Sequence, residues 1–359
     1  TTNSGSYLWQ VPFLTSRTTP TWIKVLAVNS QGDIASDQNK NSFTILSIIP
    51  PQVKLNAPIG GELWEAGSSQ VIQWNVTQQG SATISGIDLQ YSSNNGGSWT
   101  TIVNGLSGSL IQYNWAVPLV VSNLYLVNIT ARNSDGLSGS DKSAGTFSVR
   151  DTTPPVVTVT TPAAGAVWAC GSSKIIQWTA IDNIGGQGGV ASISITGSND
   201  NGVNWNPIVS GITNTGSYTW TVPNFPTVNY LIRVSAVDQS GNSGVGTSGK
   251  FTVADQTKPV ITVNSPNGGE IYHVNDNPSN PIITWTATDN VGVQKLDVYY
   301  STTGNNGTWI TISTGSANTG SYYWKIPNTP STNCSVNITA YDTSGNTAED
   351  KSNAAFTIQ

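Results

Sequence analysis

The sequence predicts an all-β chain of tandem two-sheet sandwiches, and three observations carry that prediction. One phrase recurs, as "GSYLWQVP" at 5–12, "IQYNWAVP" at 111–118, "GSYTWTVP" at 216–223 and "GSYYWKIP" at 320–327. Its tryptophans, Trp9, Trp115, Trp220 and Trp324, step by 106, 105 and 104 residues. Apolar and polar residues alternate with a period of two in "VIQWNV", "IDLQYS", "YLIRVSAVD" and "VNITAYD", the pattern of half-buried strands. Turn-forming clusters such as "SNNGGS", "SNDNGV" and "TGNNGT" separate these runs. No stretch carries helical periodicity.

Two further series fix the register: Trp74, Trp178 and Trp285 in "VIQW", "IIQW" and "IITW", and Trp99, Trp205 and Trp309. Together they define three complete units, 47–150, 151–254 and 255–359, preceded by a tail end at 1–46. About seven short strands in roughly 100 residues, with turns at regular spacing, predict an immunoglobulin-like or fibronectin-III-like sandwich for each. The joints "RDTTPPV" (150–156) and "ADQTKPV" (254–260) are short. Their prolines remove backbone donors and stiffen the chain, so an elongated array is expected. Residues 1–46 hold the equivalent of the last three strands only. Trp9, Ile23, Val25, Ala27 and Phe43 would then lack a facing sheet. Either the front half lies upstream, or a neighbouring chain supplies it by strand addition, which would build filaments.

Composition narrows the function classes. Charged residues make up 9% of the 359, against about 25% in typical domains, so the polar surface must be Ser, Thr, Asn, Gln and Gly. Neutral surfaces of this kind suit proteins outside cells. Net charge is −5 with no basic run, which disfavours nucleic acid as a partner. No apolar stretch approaches the ~20 residues that span a bilayer, so no membrane span is expected in this segment. There is no Met, and the chain is expected to be a processed product or a portion of something longer. Cys170 and Cys334 fall in different units and fit no metal spacing. Cys334 shares parity with core residues, whereas Cys170, in the turn "WACGSS", is the better candidate for an intermolecular bond.

Thirteen tryptophans invite a sugar-stacking reading, but ten belong to the three series above. Trp64 and Trp168 begin a fourth, continued by Tyr272. Recurrence at every unit points to core and hairpin positions. Trp22 alone is out of register; it aligns with Leu126 and Leu231, opposite Ile23 and Val25, and is expected to face outward as a candidate contact residue. Enzymatic readings fare poorly. His273 is the single histidine, with no nucleophile motif beside it. The four glutamates and the four arginines (Arg17, Arg132, Arg150, Arg233) are scattered.

The aspartates recur with the units. "IDNIGG" and "TDNVGV" place Asp182 and Asp289 after the second strand; "VDQSGN" and "YDTSGN" place Asp238 and Asp342 near the end. Linker residues Asp151 and Asp255 precede those units. In such a sandwich the two loops emerge at one pole, where linker oxygens from the following junction would join them. Hard oxygen ligands in loops suit Ca²⁺, yet Asp and Asn also stabilise turns without a metal, and both readings stand. The unit 47–150 lacks the pair, with "NVTQQG" and "RNSDG" in its place. Sequons occur at Asn75, Asn128, Asn306, Asn333 and Asn337. Parity turns Asn128 and Asn337 outward, Asn75 is next to inward Trp74, and Asn306 sits in a turn, so these four are candidate glycosylation sites.

"SNDNGVNW" (198–205) resembles the Asp-box hairpin of sialidases and many secreted β-proteins. That resemblance implies a folding device, not a catalytic one. The unit openings "APIGGELWEAGSSQVIQW" (57–74), "TPAAGAVWACGSSKIIQW" (161–178) and "SPNGGEIYHVNDNPSNPIITW" (265–285) resemble the Ser-Thr-rich wall-protein family of yeast cell-wall synthesis. They are also similar to Ig-like modules of archaeal and bacterial surface proteins. This implies a part of an S-layer, surface filament, adhesin or secreted-enzyme stalk, with no catalytic residue to carry over. The expectation is an extracellular, non-enzymatic structural rod that associates with itself or with neighbouring surface-protein chains. The competing expectation is an adhesin or a stalk that binds cell-surface glycans.

Overall fold

The computed structural model describes residues 3–11, 18–45, 49–80, 82–275 and 283–359. It falls into two compact units, Thr1–Thr153 and Pro154–Gln359. Pro12, Arg17 and the boundary at 46–48 lie outside the described residues.

Strict alternation builds the strands. In Ser173–Ile181, Ile176, Trp178 and Ala180 are buried while their neighbours face away from the core. Around this strand a three-stranded sheet forms, in the order Val156–Thr161, Ser173–Ile181, Ser217–Thr221. The facing sheet runs Val167–Ala169, Phe251–Ala254, Thr227–Asp238, Val190–Ser198, Asn206–Ile212. Ser243–Thr247 also pairs with the far half of Thr227–Asp238. One pairing is parallel, Val167–Ala169 with Phe251–Ala254; the loop after Ser173–Ile181 contains a 3₁₀ turn at Gln187–Gly189. The same order recurs around Ser331–Asp342 in the second unit and around Ser122–Asn133 in the first. The fold is all-β, in repeated sandwiches.

The indoles form the ribs of these bodies. Trp74, Trp115, Trp168, Trp178, Trp285 and Trp324 are at most 8% exposed. Trp64, Trp99, Trp205, Trp220 and Trp309 are half-buried. A buried indole N–H needs an acceptor, and an asparagine supplies it. Trp178 Nε1 donates to Asn214 Oδ1 and Trp285 Nε1 to Asn318 Oδ1, each at 3.0 Å. The same asparagines donate to the Ala180 and Ala287 carbonyls on the strand that carries the indole. Trp74, in the 47–150 segment, has no such partner.

Glycine sets how closely the first strand approaches. A Cβ on Gly244 would stand 1.8 Å from the Pro155 carbonyl oxygen, and one on Gly139 would stand 1.9 Å from that of Pro51. Backbone occupies the place of a side chain there.

Residues 18–45 form two antiparallel pairs, Thr18–Thr21 with Phe43–Ile45 and Lys24–Val28 with Ile34–Gln38. This repeats how Ser122–Asn133 meets Phe147–Arg150 at its start and Ser138–Lys142 at its end. Every residue of Lys24–Val28 is exposed, Val25 at 66% and Val28 at 63%. The described part of the phrase, residues 5–11, forms no strand, and the Trp9 and Phe43 rings stand edge-on with centroids 6.4 Å apart.

Candidate functional site

One pole of the last sandwich gathers its aspartates. Asp255 precedes the first strand Val260–Ser265, Asp289 follows Ile283–Thr288, and Asp342 ends Ser331–Asp342. One carboxylate oxygen from each lies within 4.8 Å of the others. Asp342 is 1% exposed, Asp255 7%, and Asp289 half-buried. The sequence reading placed the following junction at this pole; the structure brings the preceding one, because the first strand starts where the second and the long strand end.

Each carboxylate first shapes its own loop. Asp342 Oδ1 accepts the Ser344 and Asn346 backbone N–H groups at 2.8 Å, and Oδ2 accepts Asn346 Nδ2 at 2.6 Å. Asp289 Oδ2 accepts from the Val291 and Gly292 N–H groups, and Asp255 Oδ1 from that of Thr257. Asn346 Nδ2 also donates to the Asp255 and Thr257 carbonyls, tying the linker to the loop. After these bonds, Asp255 Oδ2 and Asp289 Oδ1 remain buried without a hydrogen-bond partner. Burial pushes the Asp255 carboxyl up, and the Asp289 and Asp342 charges add to this, against the Thr257 N–H and the nearby Asn290 side chain, which lies outside hydrogen-bonding geometry for Oδ2.

The preceding sandwich repeats the arrangement. Asp238 Oδ1 accepts from Ser240 and Asn242 N–H, and Asp182 Oδ2 from Ile184 N–H. Asp182 Oδ1 is buried without a partner, and ligand oxygens of Asp182 and Asp238 lie within 4.8 Å of each other. The 47–150 segment solves the pole differently. Gln78 stands four residues after Trp74, as Asp182 does after Trp178 and Asp289 after Trp285. Asn133 takes the place of Asp238 and Asp342. Its Oδ1 accepts from Asp135 and Leu137 N–H, and its Nδ2 donates to Gln78 Oε1 at 3.3 Å. Gln78 and Asn133 bear no charge to mark them in the sequence, although Gln78 holds the place four residues after the tryptophan.

The hairpin at 198–205 has the geometry of a folding device. Asp200 Oδ1 accepts Ser198 Oγ–H at 2.7 Å and the Asn204 backbone N–H at 2.9 Å, and Trp205 Nε1 donates to the Gly202 carbonyl. Asn94 takes the same two bonds from Ser92 and Ser98. Hydrogen bonds from the Asn204 backbone, Ser198 and the Asn204 amide hold the Asp200 carboxyl down at about 2. A carboxylate held below its unfolded value contributes stability that is complete above pH ~4 and lost as pH falls through the folded value. Carboxyl NMR is therefore expected to show an Asp200 midpoint near 2. Asp200→Asn should keep the turn, as Asn94 does, whereas Asp200→Ala should broaden the amide signals of 199–204. An ordinary midpoint, or an undisturbed turn in the alanine variant, would contradict this role.

Two expectations about surface chemistry are corrected. Asn337 is 6% exposed and its Nδ2 donates to Glu349 Oε2, so this sequon amide is covered. It sits mid-strand between two neighbours, so facing away from the core does not mean facing water. Asn128 is half-buried at the matching place, while Asn75 and Asn306 are exposed. Cys170, the better candidate for an intermolecular bond, is 5% exposed inside a core cluster, and Cys334 is fully buried. Burial pushes both thiols up. In the native chain neither is expected to react with a disulfide reagent, and two thiols should appear on denaturation; rapid native labelling would refute this.

Trp22 is 48% exposed, as expected. However, Leu126, at the equivalent position, is 5% exposed. Leu126 and Leu231 both lie against the Asp-box-type turns, near Gly96 and Gly202. In the middle sandwich the Arg233 guanidinium further pins that hairpin, 3.7 Å over the Trp205 ring. Trp22 thus occupies a place that a hairpin covers in complete sandwiches.

Comparisons with known proteins follow the module. Residues 161–253 match the family described as Kre9/KNH-like N-terminal Ig-like domain. No curated protein matches the chain. Among solved structures, the chain is similar to a tetra-tandem repeat in the extending region of a large adhesion protein. That likeness has 17% identity, covers 93% of this chain and 81% of the other, and has a TM-score of 0.38. Clostridium thermocellum CbhA fibronectin(III)-like modules give 19% identity, 56% and 94% coverage and 0.24. The chicken CNTN1 FN1–FN3 domains give 14%, 84%, 98% and 0.27. Likenesses at this level transfer no role.

Proposed function

We propose that this chain is a non-catalytic, extracellular structural segment: a rod of Ig-like or fibronectin-III-like modules that associates with neighbouring surface chains into a layer or filament. The single observation that carries this reading is where the tryptophans lie. Side chains that would form a sugar-binding platform are instead the ribs of separate cores. Each module is then stabilised by its own apolar burial, at about 25 cal/mol per Å², and can be repeated without a partner. The neutral hydroxyl- and amide-rich surface lowers repulsion between adjacent chains and favours close lateral packing. Modules built this way supply length and spacing rather than chemistry.

Negative-stain microscopy of the purified chain tests the reading. Ordered polymers or lateral sheets are expected as concentration rises; a strictly monodisperse particle under all conditions would overturn it. A second reading, a glycan-binding adhesin or stalk, draws on exposed Trp22. It predicts retention on a glycan array that is lost in Trp22→Ala.

A further inference from the structure

We propose that Asp255, Asp289 and Asp342 form a divalent-cation site of the Ca²⁺ class, which locks the linker at 254–260 to the pole of the last sandwich. This goes beyond the structural reading above and does not depend on it. Three acidic side chains meet in a space that is almost closed to water. Among the described residues, the ion pairs are Arg132 with Asp88 and Lys351 with Glu349, so no cation pairs with the three aspartates. Buried carboxylates without a counter-charge are strongly unfavourable. Turn chemistry accounts for only part of their oxygens. Asp255, more than nine-tenths buried, keeps Oδ2 without a donor, and Asp289 keeps Oδ1 without one. An anionic cluster with spare oxygens calls for a cation rather than for more N–H groups.

The first sandwich is the internal control. Where Gln78 and Asn133 replace the acids, the two amides bond each other. This pole keeps a single acid, Asp135, with Oδ2 buried and unpartnered, whereas the last sandwich brings three carboxylates together. Size fits as well. Ca²⁺–oxygen bonds of about 2.3–2.6 Å allow two ligands to stand up to about 5.2 Å apart, and the three oxygens fall within 4.8 Å. Carboxylates on flexible loops tolerate the irregular Ca²⁺ shell better than the strict octahedron of Mg²⁺. Asn346, which holds the Asp255 and Thr257 carbonyls, positions the linker for closure.

The test uses the full chain, stripped with chelator and then titrated with Ca²⁺ by calorimetry. Trp-sensitised Tb³⁺ emission runs in parallel, with Mg²⁺ as control. The double variant Asp289→Asn/Asp342→Asn leaves each loop a side-chain oxygen to accept its N–H groups, as Asn133 does for Asp135 and Leu137, so the variant keeps its turns. Expected are Ca²⁺ binding by the parent and a stoichiometry lower by one in the variant. In chelator the variant should melt no lower than the parent, and on adding Ca²⁺ the melting point of its last sandwich should stay put while that of the parent rises. The proposal is overturned if the parent takes no Ca²⁺ or if the variant binds with unchanged stoichiometry. It is equally overturned if the variant melts well below the parent in chelator, since the carboxylates would then stabilise the pole unaided.

Discussion

Trp285→Ala is expected to cost the last sandwich about 3–5 kcal/mol, the range for removing a large aromatic from a packed core. The indole is 3% exposed and belongs to the cluster that includes Ile283, Val298 and Phe356. Its loss opens a cavity between the sheets and also strips Asn318 Oδ1 of the donor it accepts at 3.0 Å. The strand Ile283–Thr288 joins the first strand to Ser321–Tyr322, so the damage reaches the whole smaller sheet. Calorimetry should show one transition moved strongly downward, and hydrogen exchange should locate the loosening within 260–358. Trp22→Ala, at a 48% exposed site, is the contrast and should leave every transition in place. A loss below about 1 kcal/mol at Trp285 would mean that the rib is not packed as described.

Gly244→Ala is the second large effect, expected at about 1–3 kcal/mol or more. The new methyl would fall 1.8 Å from the Pro155 carbonyl oxygen. That obstacle is backbone and cannot rotate away. Gly246 closes the remaining route, because a Cβ there would already meet the Val157 carbonyl at 2.6 Å. The first strand must therefore move as a body, straining its antiparallel pairing with Ser173–Ile181. Denaturant unfolding of this sandwich should show an earlier midpoint with an unchanged slope. A neutral substitution would show that the strand slides freely. In the last sandwich the matching residue is Ala348, half-buried against the core, so the tight approach belongs to the two sandwiches that carry glycine.

Much of this molecule was legible because its information is periodic. Alternation with a period of two assigns Ile176, Trp178 and Ala180 to one face whatever lies opposite, since successive strand side chains point to opposite sides. The Asp-box phrase was equally readable, because the bonds to Asp200 and Asn94 are local, spanning two to four residues. Burial on the second face was not readable. Asn337 and Leu126 both point away from the core, yet one is covered by Glu349 and the other by a hairpin. Those covers come from other strands and hairpins, and parity has no term for them. Cys170 stood as the cross-link candidate for the same reason: a turn residue beside a tight glycine has its N–H bonded to the Ala254 carbonyl only when the parallel pair forms.

The first copy of the recurring phrase shows the limit most plainly. "GSYLWQVP" carries the same words as its later copies, but its described residues 5–11 form no strand and Leu8 is 97% exposed. A strand is held by hydrogen bonds to a neighbour and by burial against a facing sheet, and neither is encoded in the phrase itself. Order along the chain therefore specified the strands, their facing and the hairpins. Proximity in space chose which aspartate joins which loop, which asparagine is covered and which tryptophan becomes a rib, because these depend on residues 91, 12 and 36 positions away, respectively.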